Sequence, residues 1–219
     1  MYEYKVIKIK IKPTNEYFEA LNELTYKANN LYNHANFIVR QNFLNSKNQN
    51  GKFMRSSKLT KMYCKAKNAG KDYFSQPYYN LPIQTSVVLI RTLEQNWKSF
   101  FALCKNKDLK TRPKPPKYKT KGDRYSYSFT KQQLKKNESK VVILPKLLNI
   151  ELDIPIKNIQ QIEVKPKNGY LLLNAIYREE VEDKISIEAP LNNIMGIDLG
   201  LNNLAAITFT NSVDSYLIN

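Results

Sequence analysis

The sequence predicts an α+β protein in which a β-barrel carries an inserted helical bundle. Three observations lead to this fold class. A segment of alternating apolar and basic residues opens the chain, three segments with helical periodicity follow it, and several short alternating segments come after those. Because an early strand can pair with strands much later in the chain, we expect the helices between them to form an insert.

The first strand and the longest helix are predicted from the spacing of apolar residues. Residues 2–12 alternate isoleucine with lysine, which is typical of a strand with one half-buried face, and Pro13 ends this strand. Apolar residues at intervals of four and three predict a long amphipathic helix over 14–44.

Two shorter helices are expected next. Helical spacing predicts one helix over 57–68 and another over 83–104. Asn80 can cap the second of these, and Pro82 suits its first turn, where no backbone N–H is needed. The aromatic residues at 73–80 contain a proline and are predicted to form a loop.

The later strands follow a segment that contains three prolines and is therefore not helical. Alternation predicts strands over 125–130, 141–144 and 150–154, and a hairpin over 160–177. The hairpin has Asn-Gly at 168–169, which is the dipeptide that tight β-turns prefer.

The predicted domains follow from these elements. Residues 1–12 and 106–180 form the barrel, and residues 13–105 form the helical insert. An acidic segment with a proline at its end, 181–192, is a linker. Residues 193–219 begin a further domain and supply two strands of it.

The charge of the chain favours a polyanionic partner. The 219 residues carry a formal net charge of +16, and residues 105–140 hold 13 basic and 3 acidic side chains. Such a density of positive charge suits a phosphate backbone as the partner.

No apolar run reaches the length of a membrane span and the N-terminus is not a signal peptide, so we expect a cytoplasmic protein with no membrane partner. The two cysteines form no Cys-x-x-Cys pair, so no zinc site is predicted within this chain.

The basic segment after the helices is the predicted nucleic-acid site. Cations there can pair with phosphates, and aromatic rings can stack on unpaired bases. The alternative for Tyr127 and Phe129 is that they form the inward face of a strand. The predicted contacts in this segment are Lys110, Arg112, Lys114, Lys117, Tyr118, Lys119, Lys121, Arg124 and Tyr125.

Asp198 is the predicted catalytic residue and metal ligand. It ends a short apolar strand and precedes a Gly-Leu-Asn-Asn turn. Phosphodiester hydrolysis commonly uses two metal ions held by carboxylates, and one acid on a central strand is typical of RNase H-like folds. The alternatives are a carboxylate that only caps the turn at Gly200, and the phosphate loop of an actin-like or chaperone-like ATPase, whose hydroxyl residues are replaced here by 201–203.

Three ordered motifs resemble the transposon-encoded TnpB (OrfB) proteins, compact relatives of the type V CRISPR effectors. Gly196-Ile-Asp198-Leu-Gly200 and the residues after it resemble the first RuvC motif of that family. Leu81-Pro82-Ile-Gln84, with the helix that ends in Phe100-Phe101, resembles its Leu-Pro-x-Gln helix. Residues 114–129 resemble its Pro-x-Phe-Lys-x-Lys segment and the serine-aromatic strand that follows.

The resemblance implies a wedge-like barrel, a helical recognition insert and a RuvC nuclease domain. It implies an RNA-guided DNA endonuclease with two partners: a guide RNA from the transposon end and a double-stranded DNA target next to a short adjacent motif. It also implies a prokaryotic, nucleoid-associated protein. We expect the corner that meets the DNA beside the target to contain Tyr78, Tyr79, Gln84 and Thr85.

The cofactors are implied only for a complete nuclease domain. RuvC chemistry uses Mg²⁺ held by three acids, and only the first of these, Asp198, is present. The family's zinc ribbon would lie further along the chain. The sequence is therefore interpreted as the N-terminal part of such a protein, with no cleavage expected from this part alone. The alternative is a nuclease-inactive relative that binds RNA and DNA, such as a guided repressor or a transposition accessory protein.

Overall fold

The structure is a computed structural model, and it divides into two units. Tyr2–Glu180 form one compact unit, and the described residues after Glu180 form a second one. Lys110 and the predicted linker, 181–192, lie outside the described residues. The residues that the structure describes are 2–45, 54–106, 111–137, 140–143, 148, 150–153, 158–180, 194–200, 204–210 and 215–218.

The helices of the first unit agree with the predicted helices except around residue 75. α1 (Phe18–Asn45), α2 (Ser56–Asn68) and α4 (Ile83–Lys105) lie where the spacing predicts them. In α1 the apolar stripe faces the core, and Leu21, for example, has no exposed surface. Across the described residues, no helix combines the length and the apolar character needed to cross a membrane.

The prediction of an aromatic loop at 73–80 is wrong, because these residues form a third helix, α3 (Asp72–Tyr79). Pro77 lies inside it and costs one backbone hydrogen bond. Packing offsets this cost, since the Tyr78 ring is 1 % exposed and stacks on Tyr63 with 5.1 Å between ring centroids. Tertiary contacts therefore override the local signal.

The segment between α3 and α4 also differs in detail from the prediction. Asn80 ends α3, where its N–H donates to the carbonyl of Gln76 (2.9 Å), and does not cap α4. Pro82 takes the capping position of α4 and lies just before its first turn. The two helices are so close in sequence that one short segment both ends α3 and begins α4.

The main sheet has the strand order β1-β7-β6-β2 and is antiparallel throughout. The alternation predicted for the first strand is confirmed, since Ile11 is buried opposite Leu171 and the lysines of the strand are exposed. The hairpin with its turn at Asn168–Gly169 is also confirmed. The strands are β1 (Tyr2–Ile11), β2 (Tyr127–Thr130), β6 (Ile159–Lys167) and β7 (Tyr170–Glu180).

A second sheet follows the order β3-β4-β5. Its strands are β3 (Leu134–Asn137), β4 (Lys140–Ile143) and β5 (Ile150–Asp153), of which β3 is absent from the sequence prediction. The described residues thus form four α-helices with antiparallel sheets, as an α+β chain does. A closed barrel is not seen among them, and the barrel and the domain boundaries stay predictions. Helices and sheet residues share one apolar core.

The second unit is a small antiparallel sheet with the order β10-β9-β8. Met195 pairs with Phe209, and Asp198 pairs with Ala206. Most of its large apolar side chains are more than a third exposed, unlike those of the first unit. Its strands are β8 (Met195–Asp198), β9 (Ala205–Phe209) and β10 (Tyr216–Ile218).

Candidate nucleic-acid interface

Helix α1 carries a row of asparagines beside its apolar stripe. Asn29, Asn33 and Asn36 are spaced by four and three residues, so they lie on one face of the helix. We call these three residues the asparagine stripe. Asn29 and Asn36 are 1 % and 0 % exposed. A buried amide that lacked partners would cost about 1–3 kcal/mol, so the partners of these side chains explain why they are there.

The partner of the asparagine stripe is the backbone of residues 111–126, which we call the basic ribbon. Asn33 and Lys119 exchange two hydrogen bonds, from Asn33 Nδ2 to the Lys119 carbonyl (3.0 Å) and from the Lys119 N–H to Asn33 Oδ1 (2.8 Å). Asn29 Nδ2 donates to the carbonyls of Thr120 (2.9 Å) and Asp123 (2.7 Å). The side-chain amides therefore bind the ribbon much as a neighbouring strand would.

Asn36 connects the basic ribbon to the core of the helical bundle. Its Nδ2 donates to the carbonyl of Pro116 (3.1 Å) and lies 3.4 Å from that of Lys117. Its Oδ1 accepts from the indole N–H of Trp97 (3.0 Å), which is fully buried. The Asn36 amide thus accepts a hydrogen bond from the core tryptophan and also donates one to the backbone of the ribbon.

The C-terminal end of the basic ribbon is attached in a similar way. The Tyr125 N–H donates to the carbonyl of Thr25 (3.0 Å). The Arg124 guanidinium reaches Asn22 Oδ1 (3.4 Å) and the Lys167 carbonyl (3.0 Å). From there the chain enters β2, so the ribbon is held by α1 at several points and by the sheet at its end.

This attachment through the backbone leaves the cations of the ribbon at the surface. The ribbon has six basic side chains and one acidic one, Asp123. Three prolines, at 113, 115 and 116, favour an extended chain. Among the described residues, none of the ribbon's cations forms an ion pair. The exposed cations are Arg112, Lys114, Lys117, Lys119 and Lys121, while Arg124 is half-buried.

Two tyrosines of the ribbon lie beneath cations. Tyr118 is 43 % exposed, and Arg40 lies over its ring at 4.9 Å. Lys119 lies over the rings of Tyr125 (4.8 Å) and Tyr32 (5.4 Å). Burial raises the pKa of both of these phenols, and for Tyr125 the neighbouring Tyr32 raises it further. Both rings therefore stay neutral at ordinary pH. Tyr118 is the ring of the ribbon that is open to a stacked base.

The strand alternative is confirmed for the next two aromatic residues. Tyr127 and Phe129 are 3 % and 0 % exposed, and the Tyr127 hydroxyl donates to the Leu21 carbonyl (3.0 Å). They form the inward face of β2 and pack against α1, so neither ring is open to a base.

The four residues predicted to meet target DNA do not share one surface. Tyr78 and Thr85 are 1 % and 0 % exposed, and Thr85 Oγ1 lies 3.2 Å from Gln133 Nε2. Gln84 is exposed and Tyr79 is half-buried. Burial therefore excludes Tyr78 and Thr85 from direct contact with a ligand, and a DNA contact through Gln84 or Tyr79 stays a prediction.

Asp198 lies at the end of β8 with its side chain exposed. Its strand neighbour Ile197 is 54 % exposed and Leu199 is 77 % exposed. Within the described ranges, no group of three or more His, Cys, Asp or Glu side chains lies together so as to hold a metal ion. The described residues therefore do not by themselves complete a Mg²⁺ site, and metal binding by Asp198 stays a prediction.

The asparagine stripe is a feature of the candidate interface that the sequence did not lead us to predict. Its signal was present, because Asn22, Asn29, Asn33 and Asn36 recur at helical spacing beside the apolar stripe. Asparagine is a poor helix former, so a row of it on one face indicates a specific partner. The sequence does not identify that partner, which lies about 90 residues further along the chain.

The sequence matches no protein-family model and no curated protein. Among solved structures, the chain is similar to a chain in the "Cryo-EM structure of the Cas12f1-sgRNA-target DNA complex", with 14 % sequence identity and a TM-score of 0.30. The similarity covers 98 % of this chain and 56 % of the other, so this chain spans little more than half of its length.

Proposed function

We propose that the chain binds nucleic acid through the basic ribbon. The observation that carries the proposal is the way in which the ribbon is held. Its carbonyls accept hydrogen bonds from the asparagine stripe, and five of its six cations are exposed, with no ion-pair partner among the described residues. A surface whose backbone is already fixed loses little conformational entropy when it binds a ligand.

The chemistry of the ribbon suits phosphates rather than a protein carboxylate cluster. Its cations recur every two or three residues along an extended chain, so they form a line of charge and not a compact patch. A phosphate backbone presents its own charges in a line, and neutralising it releases counterions. Arg112 and Lys114 lie at one end of this line, and Lys121 and Arg124 lie at the other.

We further propose that the chain is the N-terminal part of an RNA-guided DNA endonuclease of the TnpB type. Support comes from the three ordered motifs, which resemble that family, together with the basic ribbon. The partners would be a guide RNA from the transposon end and a double-stranded DNA target with an adjacent motif. Asp198 would be the first metal-binding carboxylate and would hold Mg²⁺ only together with further acids of a complete nuclease domain.

The test is the salt dependence of binding. Changing Arg112, Lys114, Lys117 and Lys121 to Gln together should reduce the slope of log K against log salt by about 3 units for single strands and more for a duplex. Filter binding or fluorescence anisotropy at several salt concentrations measures this slope. An unchanged slope would contradict the proposal.

A charge-matched control separates the ribbon from general electrostatics. The variant with Lys8, Lys12, Lys131 and Lys135 changed to Gln loses the same net charge from exposed positions outside the ribbon. It should keep most of the slope, because its cations are not aligned with the ribbon. Equal losses in the two variants would show that no particular surface is used.

A further inference from the structure

A second basic surface lies on helices α2 and α3. Residues 56–79 carry five lysines and one acid. That acid, Asp72, pairs with Lys67 at 2.7 Å. In the part of the chain that the structure describes, the remaining lysines have no ion-pair partner. They are Lys58, Lys61, Lys65 and Lys71, all of them exposed.

An open groove lies within this basic surface, between the end of α2 and the start of α3. Its volume is about 370 Å³, and apolar side chains form its floor, among them Met62, Ala66 and Phe74. Lys65 and Lys71 line it as well. The groove therefore combines an apolar floor with cationic edges, a combination that a purely structural crevice does not need.

Tyr73 is the unusual residue of the groove. Its ring lines the groove, yet it is 79 % exposed, more than any other large apolar or aromatic side chain of the described residues. The other tyrosines near it are packed, and Tyr63 and Tyr78 are stacked on each other. An aromatic ring with this much exposed surface is available to pack against a ligand.

The turn that forms the groove is well defined. The Lys71 N–H donates to the Ala66 carbonyl (2.9 Å) and the Gly70 N–H to the Lys67 carbonyl (3.1 Å). These are the two hydrogen bonds of a Schellman motif, with Gly70 at φ +70° as the residue that the motif requires. The α2–α3 angle is therefore fixed, and the groove exists before a ligand binds.

We infer that this groove holds an unpaired base of the bound nucleic acid. The base would stack on Tyr73 against the apolar floor, and its phosphates would pair with Lys65 and Lys71. A base has an apolar face and an attached anion, which matches the floor and the edges of the groove. An acidic peptide would match only the edges. The inference rests on the proposed function, because it assigns a second contact on the same nucleic acid.

The groove and the basic ribbon border the same stretch of α1. His34 packs against Phe74 of the groove with 5.2 Å between ring centroids, and the adjacent Asn33 binds the ribbon at Lys119. A helix with its side chains is about 10–12 Å wide. One nucleic acid that lies on the ribbon is therefore able to place a nearby unpaired base in the groove.

The experiment compares a single strand with a duplex. The probes are a short dT oligonucleotide with one 2-aminopurine, whose fluorescence falls when it stacks, and a fully paired duplex of the same length. Tyr73→Ala should lower the affinity for the single strand by roughly five- to a hundredfold and abolish the quenching. It should leave the affinity for the duplex unchanged. Tyr73→Phe should behave as the unchanged protein does.

The same titrations, repeated with a control variant, separate the groove assignment from the proposed function. Tyr26→Ala removes another exposed tyrosine, on α1 and outside the groove, and should change neither affinity. Unchanged single-strand affinity for Tyr73→Ala, or equal losses for single strand and duplex, would overturn the groove assignment and leave the ribbon standing. Failure of the unaltered chain to bind either probe would overturn the proposed function, and the groove assignment with it.

Discussion

The basic ribbon and the strand of Asp198 are two predicted functional regions with very different surroundings. The ribbon lies on α1, where asparagine amides and Trp97 form a connected hydrogen-bond network. Asp198 lies on a three-stranded sheet whose side chains are largely exposed, and there is no cluster of metal-ligating side chains among the described residues. The ribbon is supported by the rest of its unit, whereas Asp198 is the single carboxylate among the described residues of the second unit.

The difference shows what each kind of site requires. A phosphate-binding surface needs only a fixed backbone and exposed cations, and the residues of one unit supply both. A site for metal-dependent hydrolysis needs several carboxylates brought together from separate elements. A short motif can therefore indicate a candidate catalytic residue without its partner carboxylates, while a candidate binding surface can be argued from its own contacts.

The largest expected effect on stability comes from disconnecting the ribbon from the core. In Asn36→Leu the buried Trp97 N–H loses its acceptor, and the free energy of unfolding should fall by about 1–3 kcal/mol. Trp97 is the single tryptophan of the chain, so its fluorescence during urea denaturation reports on this unit. Nucleic-acid affinity should fall several-fold with an unchanged salt slope, because every cation remains.

The control for this variant lies on the same helix. Asn30 is exposed and makes no hydrogen bond through its side chain to any described residue. Asn30→Leu should leave the urea midpoint and the affinity close to those of the unaltered chain. If the two variants were equally destabilised, the cost would come from helix propensity and not from the hydrogen-bond network.

The contrast between the two regions also shows how far the sequence is informative. The period-two pattern of β1, the apolar stripe of α1 and the Asn-Gly hairpin are local signals, and the structure confirms all three. The ribbon's cations were also evident from composition. The partner of the asparagine stripe was not, because hydrogen bonds between residues about 90 positions apart leave no local pattern. Helix α3 was missed because ring packing between Tyr63 and Tyr78 outweighs a proline.

A smaller effect is expected at the turn of the ribbon. Gly122 has φ +77°, and an added Cβ would meet no atom within 4 Å, so only backbone strain opposes a side chain there. Gly122→Ala should lower the free energy of unfolding by about 1 kcal/mol. The carbonyls on either side, of Thr120 and Asp123, are those that Asn29 binds, so affinity for nucleic acid should fall as well.

Gly169 provides the matched control, because it also has φ +77° with nothing within 4 Å. It lies in the turn between β6 and β7. Gly169→Ala should cost a similar free energy of unfolding, measured by Trp97 fluorescence, and leave the affinity unchanged. A loss of affinity in both variants would mean that binding follows overall stability and not the shape of the ribbon.

The smallest expected effect on stability is that of Asp198→Ala. The side chain is exposed, so the change should alter the free energy of opening of the β8–β9 pair by less than about 0.5 kcal/mol. Amide hydrogen exchange in β8 and β9 measures this opening. A loss of roughly 1 kcal/mol would indicate the alternative role, in which the carboxylate caps the following turn.

Nucleic-acid affinity of the Asp198→Ala variant should stay within twofold, since the ribbon belongs to the other unit. In a complete nuclease domain the same change should abolish cleavage without weakening binding, because the carboxylate would hold a metal ion and not a phosphate. Retained cleavage there would contradict the proposed role of Asp198 and leave the basic ribbon unaffected.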